Sequence, residues 1–251
     1  MSHLTLYILL AAIALVVFIA LFFVDAGYGK FYTQKWGPSV DNRLGWVLME
    51  APAFLVMLWM YLSSDTHGQL VPLLFLLLFE LHYFHRSFVF PFLLRGRNQM
   101  PLAIILMGAF FNSGNALLQG FYLFRWNLAA YTDSWLTSPQ FLLGTAVFLT
   151  GMFINRQSDS IIRHLRQPGD TRHYLPEKGL YKYVNSANYF GEFVEWCGFA
   201  LLTWSPTGLM FALWTFANLA PRAARIHDRY LQEFPEQMQA QPRKRFFPFI
   251  W

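Results

Sequence analysis

Between Val71 and Leu94 the chain reads VPLLFLLLFELHYFHRSFVFPFLL, a run long enough to cross a bilayer that is interrupted by Glu80, His82, Tyr83, His85 and Arg86. A charged side chain near a bilayer centre costs roughly 2.5–3.5 kcal/mol on insertion scales, so residues of this kind mark function or tight partnership. A chain that keeps a carboxyl, a phenol, two imidazoles and a guanidinium inside its greasiest run is using them. Tyr83 and Arg86 are three apart on one helical face, with Glu80 a turn earlier and the two histidines on a neighbouring stripe. A structural alternative is a buried Glu80–Arg86 pair locking helices together. No metal site is expected. His82 and His85 lack the repeated Glu-x-x-His pattern of bundle metal sites, and the single Cys197 excludes multi-cysteine ligation and an intramolecular disulfide.

Other constellations could complement this one. Glu50 sits one turn inside another apolar run, in GWVLMEAPAF, where its stem could carry the carboxylate out to water. A facing acid–base group would instead make it part of a site. In NSANYFGEFVEW, Asn188, Glu192 and Glu195 fall at i, i+4 and i+7, and Gly191 leaves room for close approach on that side. Asn155 and Asp159 repeat the i, i+4 arrangement. Helix–helix hydrogen bonding is the plain reading of such groups. Five acceptors near one face, surrounded by Arg95, Arg97, Arg163, Arg166, Arg172, Arg222, Arg225 and Arg229, favour a polyanionic ligand that also carries hydroxyls and an amide. A nicotinamide dinucleotide phosphate has that chemistry. The chain has no G-x-G-x-x-G motif, so the Rossmann route to such a ligand is absent.

The elements that must position these residues are membrane helices. Of the 251 residues, 55% are hydrophobic, 19% aromatic and only 13% charged, which points to the bilayer as solvent. Apolar runs at Leu4–Val24, Trp46–Leu62, Val71–Leu94, Leu102–Phe124, Phe141–Ile154, Tyr189–Trp204 and Thr207–Ala220 predict an all-α, polytopic protein of about seven spans, the last three short. With the N-terminus outside, all 19 Lys and Arg but Arg86 and Arg125 fall in loops predicted cytosolic, as does the C-terminus. That placement also accounts for the net charge of +5 without nucleic acid. The first run starts almost at Leu4 without a basic leader and is too long for a signal-peptide core, so it reads as a span. No repeats appear, and one membrane domain spans 1–251.

At these residues the chain resembles the steroid 5α-reductase family. The stretches that carry the resemblance are HYFHRSFVFPFLLRGR (82–97), N-x-x-x-D followed by LRQPGD (155–170), GLYKYVNSANYFGEFVEW (179–196), and H-x-x-Y (227–230) with the terminal FFPFIW. The resemblance runs from about Tyr28 to the C-terminus, in order and spacing. It implies a monomeric NADPH-dependent oxidoreductase that reduces the Δ4 double bond of 3-oxo-Δ4-steroids, in a bacterial inner membrane or the endoplasmic reticulum. Glu50 and Tyr83 match the carboxyl and phenol that hold the substrate ketone; a carboxyl in an apolar helix tends to stay neutral, which donation to that ketone requires. Arg97, Asn155, Asp159, Arg166, Asn188, Glu192 and Tyr230 match cofactor-binding positions, with Arg86, His173, Glu195 and His227 inside the same motifs. Residues 1–125 would mainly enclose the steroid and 139–251 mainly grip the cofactor, Ser160–Ala187 folding over it as a lid. This chain departs from the pattern at Met49, where animal members typically carry Gln, at Leu94 in place of Asn, and at His173 in place of Tyr or Arg. The Met49 change removes a polar group beside the acid, which leaves another enone or polyprenoid lipid open as substrate. Membrane isoprenylcysteine methyltransferases share the C-terminal look but give HYFHR and Glu50 no role, and a non-catalytic sterol-binding protein would use the polar groups as packing.

Overall fold

The computed structural model describes residues 3–24, 32–95, 98–167, 170 and 172–251. The long apolar runs become helices, and the described residues include two strands of three residues each. The segments group into two compact units. One comprises Asp25–Leu142 with Thr203–Thr207; the other comprises Met1–Val24, Leu143–Leu202 and Gly208–Trp251.

In the first of these units, β1 (Ser39–Asp41) pairs antiparallel with β2 (Gln99–Pro101). Helix α2 (Asn42–Leu62) follows β1 directly, its N-terminus capped by Asp41, whose Oδ1 accepts from the N–H groups of Arg43 and Leu44. The next helix, α3 (Leu70–Phe84), passes through a π-helical turn at His85–Val89 into α4 (Phe90–Leu93). Helix α5 (Leu102–Phe121) follows β2 and ends in a second π turn at Tyr122–Trp126. Two methionines seat α2 on α5. A Cβ at Gly108 would overlap the Met49 side chain, and one at Gly120 would overlap that of Met60. Both pairs ascend in number together, so α2 and α5 run parallel.

Three helical runs are long and apolar enough to cross a membrane: Asn42–Leu62, Leu70–Leu93 and Leu102–Trp126. Leu4–Ala20, within α1 (His3–Ala20), is apolar but shorter. The expected spans at Phe141–Ile154 and Thr207–Ala220 lie in longer helices of mixed character, whereas that at Tyr189–Trp204 falls in a helix of 17 residues, Ala187–Thr203. Helix α6 (Pro139–Arg163) continues well past Ile154, and α8 (Pro206–Glu233) past Ala220. The polar rows read from the sequence prolong these helices beyond their apolar parts.

In the second unit, α6 packs antiparallel on α7 (Ala187–Thr203). Gly144 faces Leu202, Phe148 faces Gly198, Gly151 faces Glu195, and Asn155 faces Gly191; a Cβ on any of the four glycines would collide with the opposite backbone. Small residues at such spacing let two backbones touch, the usual means by which membrane helices associate. Phe18 of α1 stacks on Phe216 of α8, ring centroids 5.9 Å apart. The chain end folds back, Phe246 and Phe247 both donating N–H to the Trp251 carbonyl, with Phe246 buried against Ala220 and Ala223.

Candidate active site

Glu50 on α2 and Tyr83 near the end of α3 are brought together by a residue of α5. Asn112 Nδ2 donates to the Met49 carbonyl at 2.8 Å and to Glu50 Oε2 at 3.0 Å. The buried Tyr83 hydroxyl donates to Asn112 Oδ1 at 3.5 Å, while its ring lies against Phe79 and His82. An acid, an amide and a phenol therefore form one chain of hydrogen bonds inside apolar surroundings, an arrangement that can hold and polarise a carbonyl oxygen.

Sequence reasoning missed Asn112. The signal was present, because Asn112, Asn115 and Gln119 fall at i, i+3 and i+7 in an apolar run, the argument applied to the third span. The other two amides continue the polar face. Gln119 Nε2 donates to Asn115 Oδ1 at 3.3 Å and to the Thr207 carbonyl at 2.9 Å, and the Thr207 hydroxyl donates back to Gln119 Oε1.

The Glu80–Arg86 pair is not formed. Glu80 is buried with neither carboxylate oxygen hydrogen-bonded, and the Arg86 guanidinium lies over the rings of Trp46 and Phe90, 4.7 and 4.6 Å from their centroids. Six positions apart, the two residues already lie about 120° from each other around a regular α-helix, and the π turn starts only one residue before Arg86.

In the other unit the two predicted acceptor rows interlock. Asn155 Nδ2 donates to the Asn188 carbonyl at 3.0 Å and to Glu192 Oε2 at 3.4 Å, and Asn188 Nδ2 donates to Asp159 Oδ1 at 3.0 Å. Glu195 is fully buried a turn further along α7. Just before α7, Asn185 Oδ1 and Ser186 Oγ are buried without hydrogen-bond partners, and Asn185 Nδ2 donates to His227 Nδ1 at 2.8 Å. That bond requires an unprotonated Nδ1. Burial pushes the His227 pKa down, as does the neighbouring Arg245, in keeping with a neutral ring. Arg222 reaches Tyr189 from α8 at 3.5 Å. Amide and carboxylate acceptors, orphaned polar atoms at a helix N-terminus and nearby guanidinium groups suit a ligand with hydroxyls and anionic groups.

A sequence profile described as 3-oxo-5-alpha-steroid 4-dehydrogenase matches residues 98–251. The chain is 42% identical to 3-oxo-5-alpha-steroid 4-dehydrogenase 1 of Homo sapiens over 226 residues, covering 89% of this chain and 86% of that protein. The same name from Macaca fascicularis is 42% identical over 229 residues, 90% of this chain and 86% of the relative. Human 3-oxo-5-alpha-steroid 4-dehydrogenase 2 is 41% identical over 230 residues, 90% of this chain and 88% of the relative. The chain belongs to the 3-oxo-5-alpha-steroid 4-dehydrogenase family. It is thus a member of an oxidoreductase family that acts on CH–CH groups.

The remaining residues expected from the steroid dehydrogenase motifs are distributed unevenly. Arg97 lies outside the described residues. Tyr230 is buried against Leu175 and Met238, and burial raises its phenol above the ordinary range. His173 lies 3.2 Å from Glu233 Oε2, a carboxylate that Arg229 also holds, at 2.6 Å. Arg166 is half-buried in the connection after α6. Of the expected lid, residues 168, 169 and 171 lie outside the described residues. Its later part is anchored: Tyr181 and Val184 pack on Ile161 and Ile162, and the buried Arg243 donates to the Pro176 carbonyl. Asp170 accepts from Arg172 and Tyr174, contacts that hold its carboxyl well below the usual range.

Proposed function

We infer that this protein reduces the Δ4 double bond of 3-oxo-Δ4-steroids to 5α-3-oxosteroids at the expense of NADPH. The observation that carries the reading is the convergence of Glu50 and Tyr83 on one amide in a chain whose relatives are named for 5α-steroid 4-dehydrogenation. Bound NADPH supplies the hydride from C4 of its nicotinamide, delivered to C5 of the steroid. The residues of this chain do the rest. Tyr83 and a protonated Glu50 donate to the C3 oxygen, where negative charge develops as the enone becomes an enolate, and the carbon at C4 then takes a proton. Oxyanion donors of this type are worth about 10²–10³ in turnover each.

The cofactor fits the donor set described for α6 to α8. Asn155, Asp159, Asn188 and Glu192 can receive the hydroxyl and amide donors of the dinucleotide. Arg166, Arg222, His227 and the Ser186 hydroxyl suit its phosphates, while the unpartnered Asn185 Oδ1 can accept only from a hydroxyl or an N–H of the ligand. Arg97, Arg86, His173, Glu195 and Tyr230 complete the cofactor assignment by family motif. In this reading residues 1–125 serve mainly the steroid and 139–251 mainly the cofactor. The same proposal gives the chain seven spans, an external N-terminus and a cytosolic C-terminus, supported by the distribution of Lys and Arg and by the three long apolar helices.

The test is direct. Detergent-purified protein, given NADPH and androst-4-ene-3,17-dione, is expected to oxidise the cofactor and yield the 5α-reduced dione in equal amounts. Cofactor oxidation with polyprenoid enones alone would move the assignment to another lipid; none with any enone would refute it.

A further inference from the structure

We propose that Asn112 is the positioning residue that sets which way Glu50 and Tyr83 point their protons, a role resting on the carbonyl-polarising reading above. Both N–H bonds of its amide are committed, one to the Met49 carbonyl at 2.8 Å and one to Glu50 Oε2 at 3.0 Å. Because both partners are acceptors, the amide has one orientation; a flipped Asn112 would set its own oxygen against two oxygens. In the neutral carboxyl that this reading requires, the oxygen that takes the Asn112 N–H is the better acceptor, the carbonyl oxygen, which leaves the proton to Oε1. Oδ1 of the same amide accepts the Tyr83 O–H at 3.5 Å, at the far limit of a hydrogen bond. That contact aims the phenol and is weak enough for a ketone oxygen to take it over.

The location supports a role beyond packing. Asn112 is buried, yet it faces α2 where Met49 contributes only a backbone carbonyl, the Met49 side chain being lodged over Gly108 one turn earlier on α5. The amide that orients the acid thus comes from across the helix interface and not from the acid's own neighbour. Specificity follows from the same geometry. The pair is organised for an acceptor oxygen in conjugation with the reducible bond, so a steroid lacking the 3-oxo group gains nothing from it.

The experiment compares wild type, Asn112→Leu, Asn112→Gln and Asn112→Asp. Enone polarisation is read from the carbonyl stretch of bound androst-4-ene-3,17-dione in difference infrared spectra, alongside kcat, KM and melting temperature. Wild type is expected to lower the stretch of the C3 carbonyl on binding. Asn112→Leu is expected to lose most of that shift and about tenfold to a hundredfold in kcat, with KM for NADPH unchanged, in line with loss of a positioned donor. Asn112→Asp keeps the acceptor for Tyr83 but sets a second carboxyl against Glu50. Its activity is expected to fall as pH rises and one of the two carboxyls ionises, and to recover as pH is lowered, a dependence that wild type lacks. Asn112→Gln, which keeps the amide, should regain part of both signals. An unchanged stretch in Asn112→Leu overturns the proposal, whether its kcat holds or falls with a lower melting temperature. Failure of the reductase reading looks different: wild type would bind and shift the carbonyl without oxidising NADPH.

Discussion

Asn155 on α6 donates its side-chain amide to the backbone carbonyl of Asn188 on α7 at 3.0 Å, beside the point where Gly191 removes any side chain between the helices. Here the polar rows meet only because the backbones do. Replacing Gly191 by Leu should therefore separate both at once. Overpacking of this kind costs about 1–3 kcal/mol, and the variant should show a lower melting temperature together with weaker NADPH binding. Gly114 is the control, since a Cβ there meets nothing within 4 Å. Gly114→Ala should raise stability by about 0.4–1 kcal/mol. Equal behaviour of the two variants in a thermal melt would contradict the packing argument.

Tyr83→Phe removes a hydroxyl and leaves the ring packed against Phe79. Glu50→Ala removes the acid. Each is expected to lower turnover by about 10²–10³, with NADPH affinity retained when measured by fluorescence titration. Near wild-type reduction by either variant would remove that residue from the catalytic pair.

Glu80 carries a buried carboxyl whose two oxygens find no hydrogen bond. An unsatisfied buried polar group costs about 1–3 kcal/mol, and Met has similar length without that cost. Glu80→Met should raise the melting temperature while steroid reduction continues. A fall in melting temperature would show that the carboxyl contributes to the fold.

Glu233 responds to two opposed influences. Burial alone would raise its pKa, but hydrogen bonds and charge from Arg229 and His173 outweigh it and hold the carboxyl below the ordinary glutamate value. A depressed folded-state pKa means a stabilisation present above the unfolded value and lost as pH falls through the folded one. The tether between His173 and the end of α8 should accordingly loosen on the acid side of the usual glutamate range. Limited proteolysis near His173 should accelerate there, and Glu233→Gln should cleave at that faster rate even at neutral pH. Because solvent reaches this site, the accompanying stability change is expected to be small, about 0.2–1 kcal/mol.

The helical class was legible in the apolar runs, and the family, with the expected pairing of Glu50 and Tyr83, in its motifs. The Asn155–Asp159 and Asn188–Glu192 rows were legible from residue type and spacing, since α6 and α7 keep the α period through them. The Glu80–Arg86 pair, a structural alternative in the sequence, is not formed: six positions apart, the two do not share a helical face, and the guanidinium lies over Trp46 and Phe90. Asn112 was missed because an amide perturbs apolar patterning less than a charge does. Its importance comes from what faces it across the interface, information that no single helix contains. The helix ends also resisted. Apolar runs locate the apolar parts of α6 and α8, but not their polar continuation as helix to Arg163 and Glu233.

The short β1–β2 ribbon has a mechanical consequence. Its two strands are antiparallel, yet each feeds directly into one of two parallel helices, so Ser39↔Pro101 and Asp41↔Gln99 clamp the starting points of α2 and α5. A one-residue slip at that clamp would advance one helix by about 1.5 Å and turn it by roughly 100°. Asn112 would then face lipid or apolar core in place of Glu50. The aim of the acid is therefore set several turns away from it, by six residues of backbone pairing.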